Sequence, residues 1–281
     1  MDDPSARRNR IRDEVTRLKA GGFIGGPGRT SVTSDLSIDE SLVLHAVGWE
    51  AVELVCGVST YSIQGTLWNW GSGEIVSASK AHDQALGDAA RKLRSECLGV
   101  LGHGVVGVRL EVSVERYLVN AVLVGTAVAP IAGGSPPAVP FVSDLSGRDF
   151  ALLHQAGWDP VGLAHGASFV YAPRRRAMDT VRQSTQNVEL TNYTEALYSA
   201  REGAMERMQR RASEFGAGGV VGVTVSEGPM EFARHAVRFA AWGTAVRRSG
   251  RPAVLPPVEL VIDLDDERRA FDPASLRGSG L

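Results

Sequence analysis

Gly104-Val105-Val106-Gly107-Val108 returns 115 residues later as Gly219-Val220-Val221-Gly222-Val223, and this recurrence decides how the chain is read. Outward from it, the same order of blocks appears twice. Ser34-Asp35-Leu36-Ser37 matches Ser143-Asp144-Leu145-Ser146, and Gly48-Trp49 matches Gly157-Trp158. Val52, Leu54, Gly57 and Ser59 match Val161, Leu163, Gly166 and Ser168. Gly125-Thr126-Ala127-Val128 matches Gly243-Thr244-Ala245-Val246. The spacing between copies only grows along the chain, from 109 to 115 to 118 residues, as it does when loops of a duplicated unit lengthen.

Each copy predicts a short helix, a strand, a variable loop, a long helix and two strands. The Ser-Asp-Leu-Ser segment supplies N-cap chemistry and the glycine before tryptophan a helix stop. In the long helix, Ala81, Ala85, Ala89, Leu93, Cys97 and Val100 fall on one face of a 3.6-residue period. Their counterparts in the second copy are Ala196, Ala200, Ala204, Met208, Ala212 and Phe215. The valine-rich runs that follow suit a pleated, half-buried surface. Gly125 and Gly243, inside the last strands, predict a bulge or a close backbone approach. The fold class is therefore α+β: two tandem β-α-β-β repeats, each a small antiparallel sheet with one long helix packed on it. The expected divisions are a charged helix and Gly-rich tether over 1–30, the first repeat over 31–129, a Pro/Gly linker over 130–142, the second repeat over 143–248, and a Pro-rich segment, extra strand and tail over 249–281.

Composition limits the function classes. A formal net charge of −2 on 281 residues gives no electrostatic case for nucleic acid or an anionic membrane. Two cysteines make no disulfide framework, and the longest apolar run, Ala121–Ala132, is too short to span a bilayer. Met1–Lys19 is charged throughout, unlike a secretory leader. A cytoplasmic globular protein is expected. GxSxG, HExxH and P-loop patterns do not occur, so the reading is not an enzyme.

The second copy resembles a known family. Gly157-Trp-Asp-Pro-Val-Gly-Leu163, Gln186-Asn-Val-Glu-Leu190, Ala196-Leu-Tyr198 and Gly216-Ala-Gly-Gly-Val-Val-Gly-Val223 look like the YbjQ family, which carries a heavy-metal-binding label. The first copy resembles it through the shared glycine-valine blocks but has Glu74-Ile-Val-Ser-Ala where the family motif stands. The resemblance implies dodecin-like units that assemble into rings, typically pentameric, with strands of neighbours joined. It implies no enzymatic activity. Sheet edges left open by a three-stranded unit argue separately for assembly with copies of itself.

Three function classes follow: a self-assembling scaffold or interaction protein, a heavy-metal-binding module, and a small-ligand carrier. A transition metal ion would draw on His45 and His154, which occupy matched positions, and on the Cys56 thiol. Position 56 is matched by His165. A helix C-terminus explains the two histidines equally well. Trp68 and Trp70 offer aromatic faces to a ligand or partner. Arg174, Arg175 and Arg176 form a basic patch for phosphate or an acidic protein partner at the loop rim.

Overall fold

A computed structural model describes residues 32–63, 73–115, 117–172, 191–230 and 233–254. The expected N-terminal helix and the extra C-terminal strand lie outside these residues. Unit one runs α1 (Ile38–Ala46), β1 (Trp49–Ser62), β2 (Gly73–Glu74), α2 (Val76–Gly99), β3 (Gly104–Glu115) and β4 (Leu118–Pro130). Unit two runs β5 (Phe141–Val142), α3 (Gly147–Gln155), β6 (Trp158–Tyr171), α4 (Thr191–Glu214), β7 (Gly219–Met230) and β8 (Ala233–Arg248).

The duplication holds down to single hydrogen bonds. Ser37 caps α1, its hydroxyl accepting from the Glu40 amide, and Ser146 caps α3 by accepting from Asp149. The Thr126 hydroxyl donates to Asp35 at 2.5 Å, and that of Thr244 donates to Asp144 at 2.5 Å. Both donors are fully buried. These bonds tie the start of each unit to its last strand. Register breaks also repeat, at Val106/Arg109 in the β3–β4 pair and Val221/Thr224 in the β7–β8 pair. They face Gly125 and Gly243, where an added Cβ would lie 2.9 Å from the carbonyl oxygens of Val106 and Val221.

Each long helix crosses its sheet over a glycine. A Cβ on Gly57 would sit 2.1 Å from the Ala89 carbonyl oxygen, and one on Gly166 2.2 Å from that of Ala204. The alanine stripe and the strand glycine thus form one contact, bringing backbone against backbone.

The arrangement of the units departs from two separate sheet-and-helix layers. Among the described residues each sheet has four strands, in the orders β1-β4-β3-β5 and β2-β6-β8-β7. Unit two lends β5 to β3 in parallel, and unit one lends β2 to β6 in antiparallel fashion. Phe141 and Val142, expected in the linker, are thus a strand. Helix α2 packs on its own sheet and also on the far face of the second, where Leu163, Ala167 and Phe169 join its core. Trp242 packs against this same core. Helix α4 covers the other face of the second sheet with Ala200, Ala204 and Met208. No helix among the described residues is long and apolar enough to cross a membrane.

Candidate interaction surfaces

The joint between the units has an apolar and a polar part. Its apolar part is a cluster of Leu44, Val106 and Val128 from unit one with Phe150 from unit two, flanked by Trp49 and Phe141. The Trp49 ring meets Phe141, Phe150 and His154 edge-on at centroid distances of 6.0, 5.4 and 6.1 Å. Backbone bonds run alongside. The Val108 and Gly107 amides donate to the Ser143 and Leu145 carbonyls at 3.0 and 2.8 Å, and the Ser143 amide donates back to Val105 at 2.9 Å.

A second, polar part lies where α2 meets the second sheet. Glu74 pairs with Arg207 at 2.6 Å and Asp83 with Arg211 at 2.6 Å, all four half-buried. Ser79 accepts from the Phe169 amide, and the Ile75 amide donates to the Phe169 carbonyl. His82 is buried against Phe169, and its Nδ1 has no hydrogen-bond partner among the described residues. Burial, then the nearby Arg238 charge, pushes its pKa down to about 4. His165 lies 3.5 Å from Asp83 but outside hydrogen-bond geometry. Burial holds it neutral too, assisted by the charges of Arg211, His82 and Arg94. Two neutral imidazoles among arginines make this part of the joint sensitive to acid.

The residues singled out from the sequence are scattered across this frame. Trp68, Trp70, Arg174, Arg175 and Arg176 lie outside the described residues. His45 is exposed in the last turn of α1. His154, in the last turn of α3, stacks on Phe150, and its Nδ1 lies 3.0 Å from Arg251. Burial followed by the Arg251 charge lowers its pKa. Cys56 sits half-buried on the outer face of the first sheet, its amide bonded to Glu96. Burial raises its thiol pKa, with the Glu96 charge second. Cys97 is buried in the core, its thiol pushed up to about 12 by burial, the state of an inert side chain. Among the described residues no group of three or more His, Cys, Asp or Glu side chains is placed to hold a metal ion.

Glu74, Asp83, Arg207 and Arg211 were not recognisable as a set. The departure of the first copy from the family motif around Glu74 was the available signal, for that residue is committed to the joint. Arg94 donates to the Pro140 carbonyl and lies over the Phe215 ring.

Beside the joint a cleft of about 510 Å³ opens between Trp49, His103, Phe141, His154 and Phe215, with Arg251 and Asp159 at its rim. Those rim charges are already paired at 2.6 Å.

Comparison with known proteins gives two matches. The family described as "Putative heavy-metal-binding" matches residues 173–249, the later part of the second copy and one residue beyond it. The encapsulin nanocompartment protein Rv1762c of Mycobacterium tuberculosis is 36% identical over 244 residues, which cover 84% of this chain and 92% of the relative. No solved structure matches.

Proposed function

This chain belongs to the family of the Mycobacterium tuberculosis encapsulin nanocompartment protein Rv1762c, and from that premise we propose that it is a self-assembling, non-enzymatic scaffold serving a nanocompartment. It is built from two YbjQ-like units, over 31–129 and 143–248, acts in the cytoplasm and forms a ring-like homo-oligomer. One observation carries the reading. The Gly-Val-Val-Gly-Val strand is sheltered in unit one by unit two, whereas the same strand in unit two lies bare: Val108 is 3% exposed and Val223 is 44% exposed. An exposed valine-rich sheet edge invites another strand.

Electron microscopy of the purified chain tests this, together with metal analysis of protein made without a histidine tag. Uniform closed particles with no stoichiometric transition metal are expected. Dispersed single chains would contradict the scaffold, and stoichiometric zinc or copper would transfer the reading to the heavy-metal module.

A further inference from the structure

The joint inside the chain is a template for a joint between chains. Unit two docks through its front (β5, α3 and the outer face of β6) on the back of unit one (β3 and a side of α2), and among the described residues the front of unit one and the back of unit two are open. We propose that these two open faces join, the front of a second copy seating on the back of unit two, head to tail, with its Val32–Leu36 segment laid parallel to β7. This rests on the self-assembly reading above and names its interface.

Each open surface has a closed counterpart at the matched position. In unit one the Phe141 ring fills the seat over Gly104, where an added Cβ would clash at 2.2 Å; at Gly219 nothing lies within 4 Å. Position 141 corresponds to Val32, itself exposed. In the second sheet the far face, including Leu163 and Ala167, is buried under α2. The matched Leu54 and Val58 on the first sheet face outward, Val58 with 48% exposure. On the helix side, α2 buries a second stripe of Ala78, His82, Leu86 and Ala90, which α4 matches with Tyr193, Leu197, Arg201 and Met205, none of them buried. The short helices complete the pattern: Gly147 and Ala151 of α3 are buried in the joint, and the matched Ile38 and Leu42 of α1 are exposed, Ile38 at 82%.

The register transfers residue by residue. Gly104 pairs with Phe141 and Val105 with Val142, which places Val32 opposite Gly219 and Thr33 opposite Val220. The Val223 and Gly222 amides then donate to the Ser34 and Leu36 carbonyls of the second copy. Charge agrees with geometry. Asp39 pairs with Arg148, and the two are one position of the repeat touching itself across the joint. Because that position carries opposite charges in the two units, the second joint again sets Arg148 against Asp39. The apolar filling is redistributed, since Phe141 and Phe150 give way to Val32 and Ser41 while Gly147 and Ala151 give way to Ile38 and Leu42. Front-to-back docking is heterologous, so copies add in one direction and close into a ring where the rotation permits.

Two exposed-site variants test the proposal. Ile38→Glu blocks the front and Val223→Glu blocks the back. Each alone is expected to be monomeric by light scattering, and their equimolar mixture to give a one-to-one dimer and nothing larger, since the mixture holds one intact joint. Self-assembly of either variant alone to the wild-type mass would overturn the head-to-tail mode while leaving self-assembly intact. Monomeric wild-type protein would overturn the underlying reading as well. Register is tested in a Cys56→Ser background by oxidising a mixture of Thr33→Cys and Val220→Cys chains, with Val105→Cys/Val142→Cys in one chain as the intramolecular control. A 33–220 cross-link between chains is expected. A cross-link of 220 with itself would contradict the proposal.

Discussion

Strands β3 and β7 begin with the same five residues and pair with matched strands, β4 and β8, but their outer edges meet different surroundings. The first is roofed by β5, Leu145 and Phe150, whereas the second carries Val221, Val223 and Val225 in the open. Each unit is a three-stranded sheet whose own helix covers one face, and its remaining edge and face are finished by whatever lies next to it. Unit one receives its neighbour within the chain. Burial at a repeated position thus reports the neighbour rather than the side chain, and duplication gives one sequence pattern two environments in a single molecule.

The sharpest way to break the comparison is to make one substitution at both positions. Val108→Asp should prevent folding, because it leaves an unpaired charge in the joint at a cost of several kcal/mol, on the order of the protein's whole stability. Val223→Asp should leave the fold intact, as circular dichroism and urea titration would record. Equal losses at the two sites would remove the distinction.

Next in size, Phe150→Ala should lower stability by about 4 kcal/mol, the cost of an aromatic-sized cavity in a packed cluster. Ser41→Ala, at the matched position of unit one, should change it by less than about 0.5 kcal/mol. Gly57→Ala and Gly166→Ala should each cost about 3 kcal/mol, since helix and strand backbones must part. Here the two units should agree, because this contact belongs to each unit and not to its neighbour.

Acid should act on the joint through His82. The folded chain keeps it neutral down to about pH 4, whereas the unfolded chain takes up the proton near pH 6.5. Stability is therefore full above pH 6.5 and declines as pH falls toward 4, by about 2 kcal/mol at pH 5 from this residue alone, with His165 adding in the same direction. The Arg238 charge that faces His82 opposes its protonation further, while Glu111 lines the same cavity. His82→Leu should flatten the dependence of the urea midpoint between pH 7.5 and 5. The smallest effect is expected from Glu74→Gln, about 1 kcal/mol for a half-buried ion pair, read from the same titration.

The sequence carried the units and left their interlocking unread. Recurring glycine-valine blocks and the alanine stripe of α2 and α4 are local patterns, and they specify strands, helices and the contact over Gly57 and Gly166 directly. The placement of α2 between two sheets depends on pairings more than 80 residues apart, such as Ser79 with Phe169. One signal for it was present. Ala78, His82, Leu86 and Ala90 form a second small and apolar stripe on α2, whereas α4 has Tyr193, Leu197, Arg201 and Met205 there. Of the candidate site residues, the two matched histidines proved to sit in unlike places, one exposed and one stacked on Phe150, because only the second lies in the joint.

Native mass spectrometry of the full-length chain at low micromolar concentration tests the central claim most directly. A single species at an integer multiple of 29.9 kDa, three copies or more, is the outcome predicted for head-to-tail closure. A spectrum holding only the 29.9 kDa chain would contradict it.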